Sequence, residues 1–207
     1  QGPNTVAGRF EYHAFNDEGS TDPRTHEACV KSVQALGADP TKRVWSKVTD
    51  LQAKGGKFDL ILLCNVLHEV APKDWIRVMH QIASLLAEDG YLAIMEDLVP
   101  AVVELPHRTG FLILDETALG VLFGVPNGVV SRTGDRKRLM VAMVPAAAVK
   151  VTSESRVCVL KHVQEQAKEQ IRMLRAKQDR THEDGRAQAV WTMQYANASL
   201  ALEELTS

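Results

Sequence analysis

The chain has little of what marks a secreted, membrane-spanning or zinc-binding protein. Cysteine occurs only at Cys29, Cys64 and Cys158, without the CxxC or CxxH spacing of a zinc site. Such isolated cysteines indicate the reduced thiols of a cytosolic protein, and Cys64, inside an apolar run, is predicted to be a small core residue. No run approaches the ~20 apolar residues that cross a bilayer, and no signal peptide is recognisable. We therefore expect a cytoplasmic location and no membrane partner.

Glycine is scarce where a nucleotide-binding protein needs it. The sequence contains neither a GxGxG nor a GxGxxG loop, and its one glycine pair, Gly55 and Gly56, lies in a predicted turn. Because glycine has no side chain, such loops let the backbone approach a bound cofactor closely. A nicotinamide-dependent dehydrogenase is therefore the weakest of three functional hypotheses, since its fingerprint is a loop of this kind.

The charge balance of the chain does not indicate a class of binding partner. The formal net charge is -2 at pH 7, whereas a nucleic-acid-binding surface spread over the whole domain needs an excess of basic residues. Nucleic acid is therefore not indicated. Arg172, Arg175, Lys177 and Arg180 give one segment a basic end, which leaves an RNA-binding or membrane-facing role open for that segment beside simple packing.

Strand-like and helix-like segments alternate over the first hundred residues. Gly90 is predicted to stop the second helix, and the nearly continuous apolar run at 58–64 is typical of a parallel strand covered on both faces. This order predicts an α/β protein with a mostly parallel sheet. The predicted strands lie near 9–15, 43–49, 58–64 and 91–96, and the predicted helices lie near 23–36 and 74–87.

A different pattern follows residue 100. The sequence predicts a helix from about Asp115, a strand ending at Pro145, and two helices near 155–178 and 186–205. The apolar spacing of the last two favours a C-terminal helical hairpin that packs on the sheet or on another chain. We expect an α/β domain at 1–150 and a helical extension at 151–207.

Three polar residues, Asn65, His68 and Glu69, follow the apolar strand in the stretch FDLILLCNVLHE. In open α/β sheets, ligands bind outside the carboxyl ends of the strands. A histidine there can orient a substrate or act as a general base near neutral pH. His68 and Glu69 are therefore the candidate catalytic residues, and Glu96 and Asp97, which close the next strand, border the same cleft.

The segments KVTDL, FDLILLCNVLHEV and LLAEDGYLAIMED, in this order and spacing, resemble the second half of the Rossmann-like class I methyltransferases. These enzymes use S-adenosylmethionine as the methyl donor. The resemblance runs from about Phe10 to Glu96. It implies a doubly wound sheet and a methyl acceptor that the sequence does not identify.

The resemblance also implies cofactor-binding roles for six residues. Asp17 or Glu18 would hold the ribose hydroxyl groups, because a carboxylate can accept two hydrogen bonds from a diol. Asp50 would accept the adenine amino group, with Leu51 packing on the ring. Backbone carbonyl groups near Cys64 and Asn65 would take the amino group of the methionine part.

The first strand of the family's fold and its DxGxGxG loop have no counterpart in the sequence. A doubly wound sheet without its middle strand leaves ladder groups unpaired on two neighbouring strands, at about 1–3 kcal/mol for each buried group. We expect that an upstream segment of a longer protein, a second chain or a rearranged fold completes the sheet.

Two functional hypotheses stand ahead of the dehydrogenase. The first is methyl transfer from S-adenosylmethionine to an unidentified acceptor, as part of a longer protein or a complex. The alternative is a catalytically degenerate methyltransferase fold that serves as a binding or assembly module, with the C-terminal helices as its interface. Because one fold hosts many functions, the fold alone does not decide between them.

Overall fold

The chain folds into two compact units, Gln1–Gly56 and Lys57–Ser207. One sheet has two strands and the other has four, so the α/β class predicted from the sequence is confirmed. No helix among the described residues has the length and apolar character needed to cross a bilayer. The structure, a computed structural model, describes residues 10–16, 23–99, 111–126, 129–133 and 139–206.

The first unit contains two short strands that pair in parallel, with Ala14 opposite Val44 and Phe15 opposite Trp45. The strand predicted over 43–49 is much shorter, because one helix ends directly before it and another begins three residues after it. Asp39 caps the helix before it by accepting a hydrogen bond from the backbone N–H of Thr41. In chain order the elements are β1 (Ala14–Phe15), α1 (Pro23–Ala35), α2 (Pro40–Arg43), β2 (Val44–Trp45) and α3 (Val48–Ala53).

The second unit contains a mixed four-stranded sheet with the order β3-β4-β6-β5. The predicted parallel pairing of β3 with β4 is confirmed, whereas β6 is antiparallel to both of its neighbours. The elements are β3 (Phe58–Cys64), α4 (Trp75–Leu85), β4 (Leu86–Asp97), α5 (Glu116–Phe123), β5 (Ser131–Thr133), β6 (Leu139–Pro145), α6 (Ser153–Ala176) and α7 (His182–Thr206).

Strand β4 begins five residues earlier than predicted, and Gly90 lies within it instead of stopping a helix. A Cβ atom at Gly90 would lie 2.9 Å from the Phe58 carbonyl oxygen and 3.1 Å from that of Asp59. The pairing of β3 with β4 shifts register between Phe58 and Leu60 at this place. Glycine is therefore needed here for close backbone approach.

Strand β3 is exposed on one face, which corrects the prediction that it is covered on both. Leu60 and Leu62 are each 54% exposed, and Cys64, predicted to be a core residue, is exposed beside them. Ile61 and Leu63 point to the other face and pack against the core. Separately, among the described residues β3 has a strand partner on one side only, so it also forms an edge of the four-stranded sheet.

Helices α6 and α7 begin at capping boxes that set their first turns. The Thr152 hydroxyl accepts from the backbone N–H of Ser155, and the Ser155 hydroxyl accepts from that of Thr152, so α6 starts at Ser153. Asp184 likewise accepts from the backbone N–H of Thr181, whose hydroxyl accepts from the N–H of Asp184. Helix α7 therefore starts four residues before its predicted position.

The two long helices pack against each other and against the sheet. Gln164 donates to the Ser199 hydroxyl at 2.8 Å, and the Lys168 ammonium lies 5.7 Å from the Tyr195 ring centroid. Leu160 of α6 lies in the same apolar core as the buried residues of α4, β4 and α5. The C-terminal helices therefore belong to the core of the second unit.

Candidate functional site

Asn65 joins the carboxyl ends of β3 and β4. Its backbone N–H donates to the Met95 carbonyl at 2.8 Å, and its side-chain oxygen accepts from the backbone N–H of Asp97 at 3.0 Å. Its φ of 52° lies in the left-handed region, which asparagine tolerates better than most residues. This turn ends β3 and leads directly into a 3₁₀ turn at Leu67–Glu69.

Glu96 lies almost completely buried near the end of β4, with 1% of its surface exposed. One carboxylate oxygen accepts from the backbone N–H of Leu67 at 2.8 Å, and the other lies 2.5 Å from Nδ1 of His68. A buried carboxylate is stable only when such partners replace its hydration. Glu96 therefore fixes both the 3₁₀ turn and the His68 ring, and we call these two side chains the His68–Glu96 pair.

The imidazole of His68 is held on three sides. It is 6% exposed, and the ring of Phe111 meets it edge-on with 5.3 Å between ring centroids. The backbone N–H of Phe111 donates to the His68 carbonyl, and Nε2 of His68 lies 3.5 Å from a carboxylate oxygen of Glu69. The ring has little freedom to rotate in these surroundings.

The contacts of Glu96 define the tautomer of His68. With Glu96 ionised, its carboxylate only accepts, so Nδ1 of His68 carries the proton of this hydrogen bond and Glu96 accepts it. In the neutral ring, the lone pair is then on Nε2. A carboxylate that orients a histidine in this way leaves the second nitrogen as a base.

The structure places the predicted cofactor residues in different parts of the chain. Asp50 and Leu51 belong to the first unit, where Asp50 is exposed in the first turn of α3 and Leu51 is 6% exposed. Cys64 and Asn65 belong to the second unit and are exposed at the end of β3. Asp17 and Glu18 lie outside the described residues.

The parallel strands β3 and β4 end beside a buried histidine–carboxylate pair, and in open α/β sheets ligands bind outside the carboxyl ends of the strands. The family described as "Methyltransferase domain" matches residues 15–127, more than half of the chain. The chain therefore belongs to the class I S-adenosylmethionine-dependent methyltransferases. A search among curated proteins finds no match.

The chemistry of the described residues fits part of S-adenosylmethionine. The exposed Asp50 carboxylate is an acceptor for amino or hydroxyl groups. The left-handed backbone at Asn65 follows the exposed Cys64, at the edge of the sheet where carbonyl oxygens can accept from an ammonium group. Each group by itself is chemically able to accept from one amino group, Asp50 in the first unit and the Cys64–Asn65 backbone in the second.

The sequence identified His68, Glu69 and Glu96 as candidate residues, but it did not predict the hydrogen bond between His68 and Glu96. The signal was present, because His68 follows β3 and Glu96 ends β4, and two neighbouring parallel strands bring their carboxyl ends together. Phe111 was missed. It lies far along the chain, and neither periodicity nor spacing relates it to His68.

Proposed function

We propose that this chain transfers a methyl group from S-adenosylmethionine to a nucleophilic acceptor, with His68 as the general base. The observation that carries this proposal is the buried His68–Glu96 pair at the carboxyl ends of two parallel strands. Positioned proton transfer of this kind contributes about 10²–10⁴-fold to a reaction rate.

In the proposed mechanism, Nε2 of His68 takes the proton from an O–H or N–H group of the acceptor as that group becomes nucleophilic. The imidazolium that results is stabilised by Glu96 at Nδ1 and by Glu69 near Nε2. Because His68 and Glu96 are buried, water competes little for either group, and their electrostatic interaction is strong.

The cofactor contributes an electrophilic methyl group when it is bound. We propose that Asp50 accepts a hydrogen bond from the adenine amino group, beside Leu51, and that Asp17 or Glu18 holds the ribose hydroxyl groups. Carbonyl groups near Cys64 and Asn65 would bind the amino group of the methionine part. The chain's task is then to hold both reactants in line and exclude water.

We further propose a doubly wound sheet that a further strand completes at the outer edge of β3, with α6 and α7 as a helical hairpin behind it. The open edge of β3 supports this, because among the described residues β3 pairs only with β4, and the backbone groups of a sheet edge are normally paired or covered. An upstream segment of a longer protein or a partner chain would provide the strand.

Calorimetric titration with S-adenosylhomocysteine tests the cofactor assignment. Replacing Asp50 by Asn should weaken binding about ten- to a hundredfold, because a charge-assisted hydrogen bond contributes about 1.5–3 kcal/mol. Asp59→Asn is the matched control, because Asp59 is also an exposed aspartate and lies at the start of β3. Absence of binding with and without an added upstream segment would contradict the proposal and favour an assembly module.

A further inference from the structure

A cleft of about 530 Å³ opens in the second unit beside the end of β4. Its walls come from the residues that follow Glu96, from the segment that precedes α5, and from the first turns of α7. This volume lies within the range of about 300–1,000 Å³ that is typical of small-molecule sites. The cleft is therefore large enough for a small organic molecule and too small for a folded macromolecule.

The cleft and the His68–Glu96 pair lie on either side of one short segment. Phe111 contacts the His68 ring, and its carbonyl oxygen accepts a hydrogen bond from Gln194 of α7 at 3.0 Å. Gln194 also accepts from the backbone N–H of Ile113 at 3.0 Å, and both Gln194 and Ile113 line the cleft. Gln194 is 2% exposed, so it fixes this segment between the cleft and the proposed base.

The apolar wall of the cleft is suited to a flat ring. Trp191 and Val190 of α7 face the cleft together with Leu98 and Ile113, and all four are partly exposed. An indole offers a broad, rigid surface on which aromatic rings stack in offset or edge-on geometry. A planar aromatic molecule therefore gains more from this wall than a non-planar molecule of the same size.

The charged groups of the cleft favour a hydrogen-bond donor and disfavour an anion. Asp115 and Glu183 are acidic, and Arg186 is basic. The two carboxylate oxygens of Asp115 accept from the Ala118 backbone N–H at 2.9 Å and from the Gln166 side chain at 2.8 Å. Each carboxylate oxygen has two lone pairs, so Asp115 can still accept from a bound O–H or N–H group.

We propose that this cleft is a binding site for a small planar aromatic molecule with an O–H or N–H group and no negative charge. This inference goes beyond the proposed methyltransferase function, because the segment that carries Phe111 and Ile113 lies between the cleft and His68. Trp191 is then a specificity-determining residue, and Asp115 orients the donor group.

A naphthol titration tests the cleft directly when NMR follows the indole N–H signals of protein with isotope-labelled tryptophan nitrogen. The chain has three tryptophans, so three indole N–H signals are expected. Trp75 donates to the Val70 carbonyl at 2.9 Å and Trp45 donates to His13 at 2.8 Å, and both should keep their signals unchanged. Only the Trp191 signal should move with naphthol concentration.

Trp191→Leu should weaken naphthol binding about tenfold, which is the upper range for an aromatic contact. Ala187→Leu, which adds bulk inside the cleft, should weaken it without removing any core side chain. Tyr91→Leu is the matched control, because Tyr91 is an exposed aromatic residue on β4 that does not line the cleft. Naphthoate and decahydronaphthol, which lack the uncharged donor and the planar ring respectively, should bind more weakly than naphthol.

An unmoved Trp191 signal would overturn the inference, as would equal weakening by Tyr91→Leu or equal binding of naphthoate. Titration of the same sample with S-adenosylhomocysteine separates the two proposals. Cofactor binding without naphthol binding would reject the cleft and leave the methyltransferase function standing. Naphthol binding without cofactor binding, with or without an added upstream segment, would reject the methyltransferase function and leave the cleft standing as a binding site.

Discussion

Replacing Glu96 by Ala should destabilise the protein more than any exposed acidic substitution. The carboxylate accepts from the Leu67 backbone N–H and from Nδ1 of His68, and it is 1% exposed. Without it, two donors lose their acceptor in a site that excludes water. Each buried unsatisfied donor costs about 1–3 kcal/mol, so the expected loss in free energy of unfolding is about 2–6 kcal/mol.

Glu96→Gln should cost less, about 1–2 kcal/mol, for a reason specific to this pair. The amide can keep both hydrogen bonds if its oxygen accepts from Leu67 and its NH₂ group donates to Nδ1 of His68. This arrangement requires the proton of His68 to move to Nε2, where a base needs a lone pair. The variant should therefore remain folded and still lose the base function of His68.

Urea unfolding followed by far-ultraviolet circular dichroism measures these differences in the free energy of unfolding, provided that its slope against urea concentration is the same in wild type and variants. Glu69→Gln serves as the control, because Glu69 is a half-exposed acid beside the same histidine and should change stability by less than about 0.5 kcal/mol. A loss below about 1 kcal/mol for Glu96→Ala would show that the Leu67 and His68 donors do not depend on Glu96 and have found other partners.

Three further predictions concern the core, the open strand and the helix connection. Leu160→Ala should lower the free energy of unfolding in urea by about 2–5 kcal/mol. Ile171→Ala, at a partly exposed position of α6, should lower it by about half as much, and equal losses would contradict the assigned burial. Leu62→Ala on the exposed face of β3 should cost less than about 1 kcal/mol while Leu92→Ala in the core costs about 2–5, and the reverse order would show that the faces are misassigned. Lys177 and Thr181 lower the pKa of Asp184 to about 2 from 3.8. The stability difference between wild type and Asp184→Asn, measured from acid unfolding curves, should therefore be full above pH 3.8 and disappear as the pH falls through about 2. A difference that stays constant over this pH range would contradict the contact.

Much of the second unit could be predicted from local pattern. The run at 58–64, the amphipathic α4 and the strand that ends at Pro145 each have an apolar spacing that one secondary structure satisfies. Strand limits were less predictable, because β4 extends through an acidic pair and Gly90 to meet the shifted register of β3. Register depends on the partner strand, which the sequence of one strand does not contain.

In the candidate site too, features that depend on neighbouring residues were predicted, whereas features that depend on distant parts of the chain were not. The sequence indicated His68 and Glu69 because polar residues at a strand end are visible locally. The hydrogen bonds of Gln194 with Phe111 and Ile113 depend on how α7 packs, which relates residues about eighty positions apart. Burial of one face of β3 was overpredicted, because an apolar run does not reveal whether another layer covers both faces of the strand.

The central claim is that His68, oriented by Glu96, removes the proton from the acceptor during methyl transfer. The most direct measurement follows transfer of isotopically labelled methyl from S-adenosylmethionine to a mixture of planar phenols and arylamines, with wild type and His68→Asn. Asparagine can still donate to Glu96 but has no basic nitrogen at the Nε2 position. Wild type should give labelled product, and His68→Asn should give it at a rate about 10²–10⁴-fold lower, at unchanged affinity for S-adenosylhomocysteine. Transfer by His68→Asn at the wild-type rate would show that His68 is not the general base.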